Sequence, residues 1–476
     1  MPTIADEVRI AAATLADRVT GLSQPSLRIG VTGLSRAGKT VFITAFVNAL
    51  VGGGRFPMFD ARASGRLARA RIVPQPDDDV PRFEAERHLA ALVDDRRWPD
   101  STRSVSQLRV LVEFESGQAW FNKRRSIAID LVDYPGEWLL DLLLLDRDFV
   151  AFSDDAATLA ALPSRAPLAT EWLSLAADVK PDAPADEAVA ARLHDAFTRY
   201  LQACRADARA LSTLPPGRFL MPGDLEGSPA LTFAPLPGTE RSPARGTMAD
   251  LLARRYEAYK AHVARPFFRD HFARLDRQVV LIDALQALNA GPEAVDDLGR
   301  ALTEIMRCFR SGSVNPITKL FSRRVDRLLL AATKADHLHH TDHDRLQAIV
   351  AALVGDALDR AGASGADVET AALAGVRATR EGRSGEGDDA LPLIVGTPME
   401  GETIDGRTFD GRTEIAVFPG DLPRDPHAAL KEDQAGAIRF VRFRPPAIER
   451  DERGRPVLPH IRMDRVLEML LGDKLL

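Results

Sequence analysis

"GLSRAGKT", Gly33 to Thr40, stands between the strand-like "LRIGV" and the helical run "VFITAFVNAL". The octet fits G-x-x-x-x-G-K-[ST], a loop whose amides cradle phosphate. Glycine is needed where the backbone closes on phosphate, because a Cβ there would clash and restrict the dihedrals. The expected phosphate contacts are Gly33, Ser35, Arg36, Ala37, Gly38, Lys39, Thr40 and Val41, with the positive end of the following helix behind them. Lys39 is expected to reach the β- and γ-phosphates, and the Thr40 hydroxyl to ligate Mg²⁺. Phe42, Ile43, Phe46, Val47 and Leu50 fall at helical spacing after the loop, so the motif sits at a strand-to-helix turn. Arg36 reads as a solvated or structural loop arginine rather than an arginine finger.

A phosphate loop needs an acid at the end of a neighbouring strand to hold the magnesium. "RRSIAIDLVDYPGEW" supplies one: Ile127 to Val132 is strand-like, and Asp133 opens an Asp-x-x-Gly whose Gly136 amide is placed to contact a γ-phosphate. Asp130 competes for the metal role but lies inside the strand. Upstream, Leu108, Val110, Val112 and Phe114 alternate as in a half-buried strand. The short link to the Asp133 strand predicts an antiparallel pair. Phosphate loop, hairpin and strand-end Asp-x-x-Gly together resemble the layout of small GTPases. Of Ser101, Thr102 and Ser104, Thr102 is the expected switch threonine on magnesium. Glu137, after Gly136, either orients or deprotonates an attacking water or is an acid favoured at a helix N-terminus.

The base is read farther on. The apolar run Leu328 to Ala332 predicts a buried parallel strand, and "TKAD", Thr333 to Asp336, follows it. An aspartate accepts from both N1–H and the exocyclic amine of guanine, whereas adenine would leave it buried and unpaired, a difference worth ~10⁴–10⁵ in selectivity. Lys334 would lay its stem along the base. Thr333 replaces the asparagine of the usual motif, and its hydroxyl is expected to take over part of the bracing of the phosphate loop. Ala378 and Thr379, after "TAALAGV", are expected to meet the base by backbone.

The 476 residues carry a net charge of −6, which argues against a chain built to grip nucleic acid. Cys204 and Cys308 form neither a disulfide framework nor a zinc site. Residues 1–24 predict an N-terminal amphipathic helix and no secretory signal. The richest apolar stretch, "WLLDLLLLDRDFVAF", is too short and too charged for a transmembrane segment. The chain therefore reads as cytoplasmic, reaching the inner membrane only through a partner. His337, His339, His340 and His343 read as a solvated face rather than a metal site. The expected organisation is a discontinuous core, 25–140 and 276–400, an inserted helical domain, 141–275, and C-terminal strands and a helix, 401–476, that extend or cover the sheet edge. The fold class is α/β: a P-loop NTPase with a mixed, mostly parallel sheet.

With "GLSRAGKTVFITAFVNAL", "DYPGEW", "RPFFRDHFARLDRQVVLIDALQALNAGPEAVDDL", "FSRRVDRLLLAATKADHL", "GVRATR" and "VFPGDLP", the chain resembles the YcjX-type P-loop GTPases of bacteria from about residue 25 onward. The resemblance implies a GTP/GDP-binding core. It carries phosphate and magnesium roles onto Gly33, Gly38, Lys39, Thr40 and Asp133, and base recognition onto Thr333, Lys334 and Asp336. The expected activity is slow, Mg²⁺-dependent hydrolysis of GTP in a nucleotide-dependent switch, with a protein partner, soluble or membrane-associated, docking on the helical insertion. An ATP-using P-loop enzyme and a nucleotide-stabilised interaction module with negligible turnover stay open.

Overall fold

The computed structural model describes residues 25–34, 37–100, 104–117, 124–206, 209–310, 325–361, 367–385, 391–404, 406–431, 438 and 441–476. Ser35, Arg36, Thr102 and the N-terminal segment 1–24 lie outside them. β1 (Ser26–Gly33) runs into the phosphate loop, and α1 (Lys39–Val51) begins on it. Next come β2 (Leu67–Val73), β3 (Ser106–Glu115) and β4 (Arg124–Asp133), then, after a long helical stretch, β5 (Arg277–Ile282), β6 (Arg327–Ala332) and β7 (Asp367–Ala372). They form one seven-stranded sheet in the order β2-β3-β4-β1-β5-β6-β7.

β4, β1, β5, β6 and β7 are parallel, while β3 runs antiparallel to both β2 and β4. The predicted hairpin is present, with Ser106 opposite Asp133. β2 has no counterpart in the sequence reading. Its residues, LARARIV, are mostly half-buried or exposed, as suits a charged edge strand. The inner strands are apolar on both faces because helices cover both sides. Phe42, Phe46 and Leu50 of α1 cover one face with Val466, Leu467 and Leu470 of the final helix. The other face packs against helices after β4, β5 and β6.

Between β4 and β5 the chain forms α2 (Glu137–Leu144), α3 (Phe149–Ala160), α4 (Ala166–Asp178), α5 (Glu187–Arg205) and α6 (Met248–Tyr259). α5 starts where Asp186 accepts from the amides of Ala188 and Val189, at 2.8 and 3.1 Å. It buries Leu193, Phe197, Tyr200, Leu201 and Cys204 along one stripe. With Trp172, Phe233, Tyr256 and Tyr259 these residues form an aromatic-rich core separate from the two that flank the sheet.

One buried charge cluster fastens this helical block to the sheet. After β5 come α7 (Ala284–Ala290) and α8 (Pro292–Arg310). Asp297 of α8 is fully buried and lies 2.7 Å from the Arg165 guanidinium. It also accepts from the amides of Ser212 and Thr213 at 2.6 and 2.9 Å.

Past β7 the chain does not extend the sheet, the first of the two expected arrangements. Ala374 bridges to Ile461 and the Ala378 amide is held by Asp336, which turn the chain off the sheet edge. β8 (Arg380–Ser384), β9 (Leu391–Gly396) and β10 (Ile415–Val417) form a separate sheet that crosses the expected boundary at residue 400. Phe443, within an expected strand, makes only an isolated bridge to Pro398.

Asp297→Ala removes the acceptor for a buried guanidinium and two amides. Its unfolding free energy is expected to fall by about 3–5 kcal/mol, the cost of stranding one partner of a buried pair. Urea denaturation followed by tryptophan fluorescence tests this.

Candidate functional site

Because β1 lies between β4 and β5, the chain leaves it toward one side and returns on the other, which opens a crevice at the carboxyl ends of the strands. A cavity of about 270 Å³ occupies that crevice. Gly33, Gly38, Lys39 and Thr40 line one end, and Thr333, Lys334 and Asp336 the other. The structure thus brings the two sequence motifs to one site. A larger cleft, about 450 Å³, opens between the helical block and α8, but its walls carry none of the strand-end groups.

Gly38 precedes α1 with φ of 79°, and a Cβ there would meet nothing within 4 Å. Its requirement is conformational: left-handed backbone lets the chain swing into the helix. Ala37 and Val41 line the same wall. Lys39 Nζ rests 2.6 Å from Asp133 Oδ1, and both groups are largely buried. Thr40 Oγ1 lies 3.4 Å from the Asp100 carbonyl, just upstream of Thr102. Asp130 is not available as a metal acid, because Arg109 on β3 grips it with two bonds of 2.6 and 2.7 Å. Gly136 packs so tightly on the phosphate loop that an added Cβ would lie 2.3 Å from the Gly33 carbonyl oxygen. Glu137, buried at the start of α2, lies 2.9 Å from Nη2 of Arg205.

At the other end Asp336 is 4% exposed and accepts from the Ala378 amide at 2.8 Å. Burial pushes its carboxyl up to about 6, with the Ala378 bond acting against that rise. The Thr379 hydroxyl donates to the Asp336 carbonyl. Ala378 and Thr379 therefore stand behind Asp336 and brace it, while Leu373, Ala374, Gly375 and Val376 form the cavity wall expected of them. Thr333 differs from expectation as well: its hydroxyl and its amide both point to the Ile282 carbonyl, at 3.4 and 2.9 Å. Lys334, at φ 60°, pairs with Asp283 at the end of β5.

The histidines after this motif do not form a solvated face. His337, His339 and His343 are buried, because short 3₁₀ turns fold them back and Phe443 packs edge-on against His337 at 5.6 Å. Burial pushes His337 down to about 3, so it is neutral. Ligand atoms of His339, His340 and Glu381 come within 4.8 Å of one another.

Sequence reasoning missed several cavity residues: Trp98, Arg205, Met221, Met399, Arg442 and Phe443. Arg205 carried no local signal, since a basic residue in the last turn of a helix is ordinary. Asp283 carried one, an acid at the end of an apolar run in "QVVLIDAL".

A family model described as "YcjX-like family, DUF463" matches residues 27–475. The chain belongs to the YcjX-like family. It is 38% identical to a protein of Escherichia coli K12 named "Ras-like GTPase YcjX", over 94% of this chain and 96% of that one. It is 32% identical to a protein of the same name from Shewanella oneidensis MR-1, over 94% of each chain. Among the described residues of this YcjX-like chain, no helix is long and apolar enough to cross a membrane.

Gly136→Ala would drive a methyl into the Gly33 carbonyl. The variant is expected to lose about 1–3 kcal/mol of stability through overpacking. Faster amide exchange over residues 133–140 than over β5 would show that the strain is local.

Proposed function

We propose that this chain is a guanine-nucleotide-binding protein that hydrolyses GTP slowly and acts as a nucleotide-dependent switch. The observation that carries this reading is a buried, amide-braced Asp336 in the same cavity as Lys39 and the phosphate loop. A carboxylate so placed accepts two N–H bonds from guanine and is left unpaired by adenine. The names of the two relatives support the same ligand.

In this reading the amides from Ala37 to Val41 hold the β-phosphate, and Lys39 exchanges Asp133 for the β- and γ-phosphates. Thr40 and Asp133 fit Mg²⁺: both are buried oxygen donors, Thr40 in the cavity wall and Asp133 beside Lys39 of that wall. Thr102 is the proposed switch ligand beside them. Bound magnesium would neutralise charge on the β- and γ-oxygens. The Gly136 amide reports the γ-phosphate, and Glu137 orients the attacking water. The helical block is proposed to be an insertion in the GTPase core that moves with nucleotide state and takes a protein partner. The work is proposed to take place in the cytoplasm.

Asp336→Asn reverses the hydrogen-bonding sense at the base. It is expected to weaken GDP and favour xanthosine diphosphate, measured by competition against a fluorescent nucleotide. Equal binding of ADP and GDP by the wild type would instead indicate an ATP-using machine.

The protonation of Asp336 sets a second test. Its ionised form is the one that accepts from guanine, and burial pushes its carboxyl up to about 6. GDP affinity is therefore expected to hold above that pH and to fall by about tenfold per pH unit below it. A flat titration from pH 5 to 8 would show that Asp336 does not read the base.

A further inference from the structure

The helical block places an arginine against the phosphate end of the cleft. We infer that Arg205 is a catalytic arginine supplied in cis to the γ-phosphate of GTP, held ready by Glu137. The inference rests on the GTP reading above.

Position comes first. Arg205 ends α5, and its guanidinium lines the cavity with Lys39, Thr40 and Glu137. Nη2 lies 2.9 Å from Glu137 Oε1, and Nη1 lies 3.6 Å from the Met221 sulfur. Glu137 directly follows Gly136, whose backbone abuts Gly33 of the phosphate loop. The guanidinium is thus next to the turn that would meet a γ-phosphate. Among the described residues, the other cavity arginine, Arg442, is at the base end. It is paired with Glu402 at 2.6 Å, and its neighbour Phe443 packs on His337.

Residues 217–221, farther along the chain, are also fixed to α2. The Trp138 indole donates to the Met221 carbonyl at 3.2 Å, and the Arg218 guanidinium lies 3.3 Å from the Trp138 ring centroid. Asp141 accepts from the Gly217 amide at 2.6 Å and from the Tyr259 hydroxyl at 2.7 Å. An added Cβ at Gly217 would be 2.2 Å from the Glu137 carbonyl oxygen. These contacts join α2 to residues 217–221, and the Glu137 pair joins it to the end of α5, so a shift of the Asp-x-x-Gly turn is passed to Arg205.

The chemistry asks for such a group. Water attacks the γ-phosphorus, the bond from phosphorus to the β–γ bridging oxygen breaks, and its electron pair stays on GDP. The products are GDP, inorganic phosphate and a proton released to solvent. Negative charge grows on the bridging and γ-oxygens during this step. A planar guanidinium, always charged, spans two such oxygens with parallel N–H bonds, which the point charge of an ammonium does not. Before the triphosphate enters, Glu137 neutralises that charge. Afterwards the phosphate competes for the same N–H groups, which leaves Glu137 free to orient water. Arg205 thereby links turnover to the placement of the helical block.

The test uses the full chain as wild type, Arg205→Ala and Arg205→Lys. Three quantities are read: GDP affinity, single-turnover GTP hydrolysis, and capture of the complex of GDP with aluminium fluoride, a mimic of the transferring phosphoryl group. Both variants are expected to bind GDP, which lacks the γ-phosphate that Arg205 meets, within about twofold of wild type. Hydrolysis by Arg205→Ala is expected to fall by about 10³-fold. Arg205→Lys, which keeps charge and packing, is expected to restore little, and neither variant to capture the fluoride complex. Wild-type hydrolysis or fluoride capture in the variants would make Arg205 a structural partner of Glu137 and overturn the inference. A wild type that binds GDP but neither turns over nor captures the complex would overturn it too. If the wild type does not bind GDP, it is the functional reading that has failed.

Discussion

β1 is buried between two parallel neighbours, β4 and β5, and the rest of the molecule follows from that constraint. A central parallel strand has no short way out, so the chain must cross over on one side and return on the other. Where the directions part, the carboxyl ends of β1, β4, β5 and β6 leave an opening that no crossover fills. Gly33, Asp133, Asp283 and Thr333 stand at those four ends. Each is positioned by a strand ladder rather than by a loop, which keeps the geometry of the cleft rigid.

Carboxylates around that opening are buried and paired with cations. Asp133 takes Lys39, Glu137 takes Arg205, and Asp283 takes Lys334. A carboxylate removed from water needs such a partner, or its ionised form becomes too costly. Asp130 with Arg109 and Asp297 with Arg165 obey the same rule away from the cleft, where the pairs are purely structural. In the cleft, Lys39 and Arg205 face a cavity in which an anionic ligand would compete for them. Asp336 is managed differently. It is steadied by the Ala378 amide and pushed up to about 6 by burial, so its charge depends on what else it contacts.

The helix after the Asp-x-x-Gly turn joins these two themes. α2 is buried almost all round, packed on the sheet side through Leu139 and Leu142 and on the helical block through Trp138 and Asp141. A helix enclosed on every side has little freedom to move alone. A displacement at Gly136 would therefore be shared with the helical block, which Asp297 holds through Arg165.

Much of the core was legible in the amino-acid sequence. The phosphate-loop motif, the β3–β4 pair and the strand before Thr333 are all written in local patterns of a few residues, and backbone sterics and periodicity translate such patterns directly. The charged edge strand β2 was not legible, since half-exposed LARARIV has no clean alternation. Neither were the inward histidines, the detour of Thr333 to Ile282, the bracing role of Ala378, or the separate sheet past β7. Arg205 is the sharpest case: by local pattern it is a solvated helix end, and only the tertiary fold, which brings the end of α5 beside the start of α2, turns it toward Glu137. Patterns along the chain determined which groups the protein owns and which elements carry them. Which groups meet was decided by tertiary packing alone, because contact between residues far apart depends on the surfaces that elements bury together, and no short stretch of sequence records it.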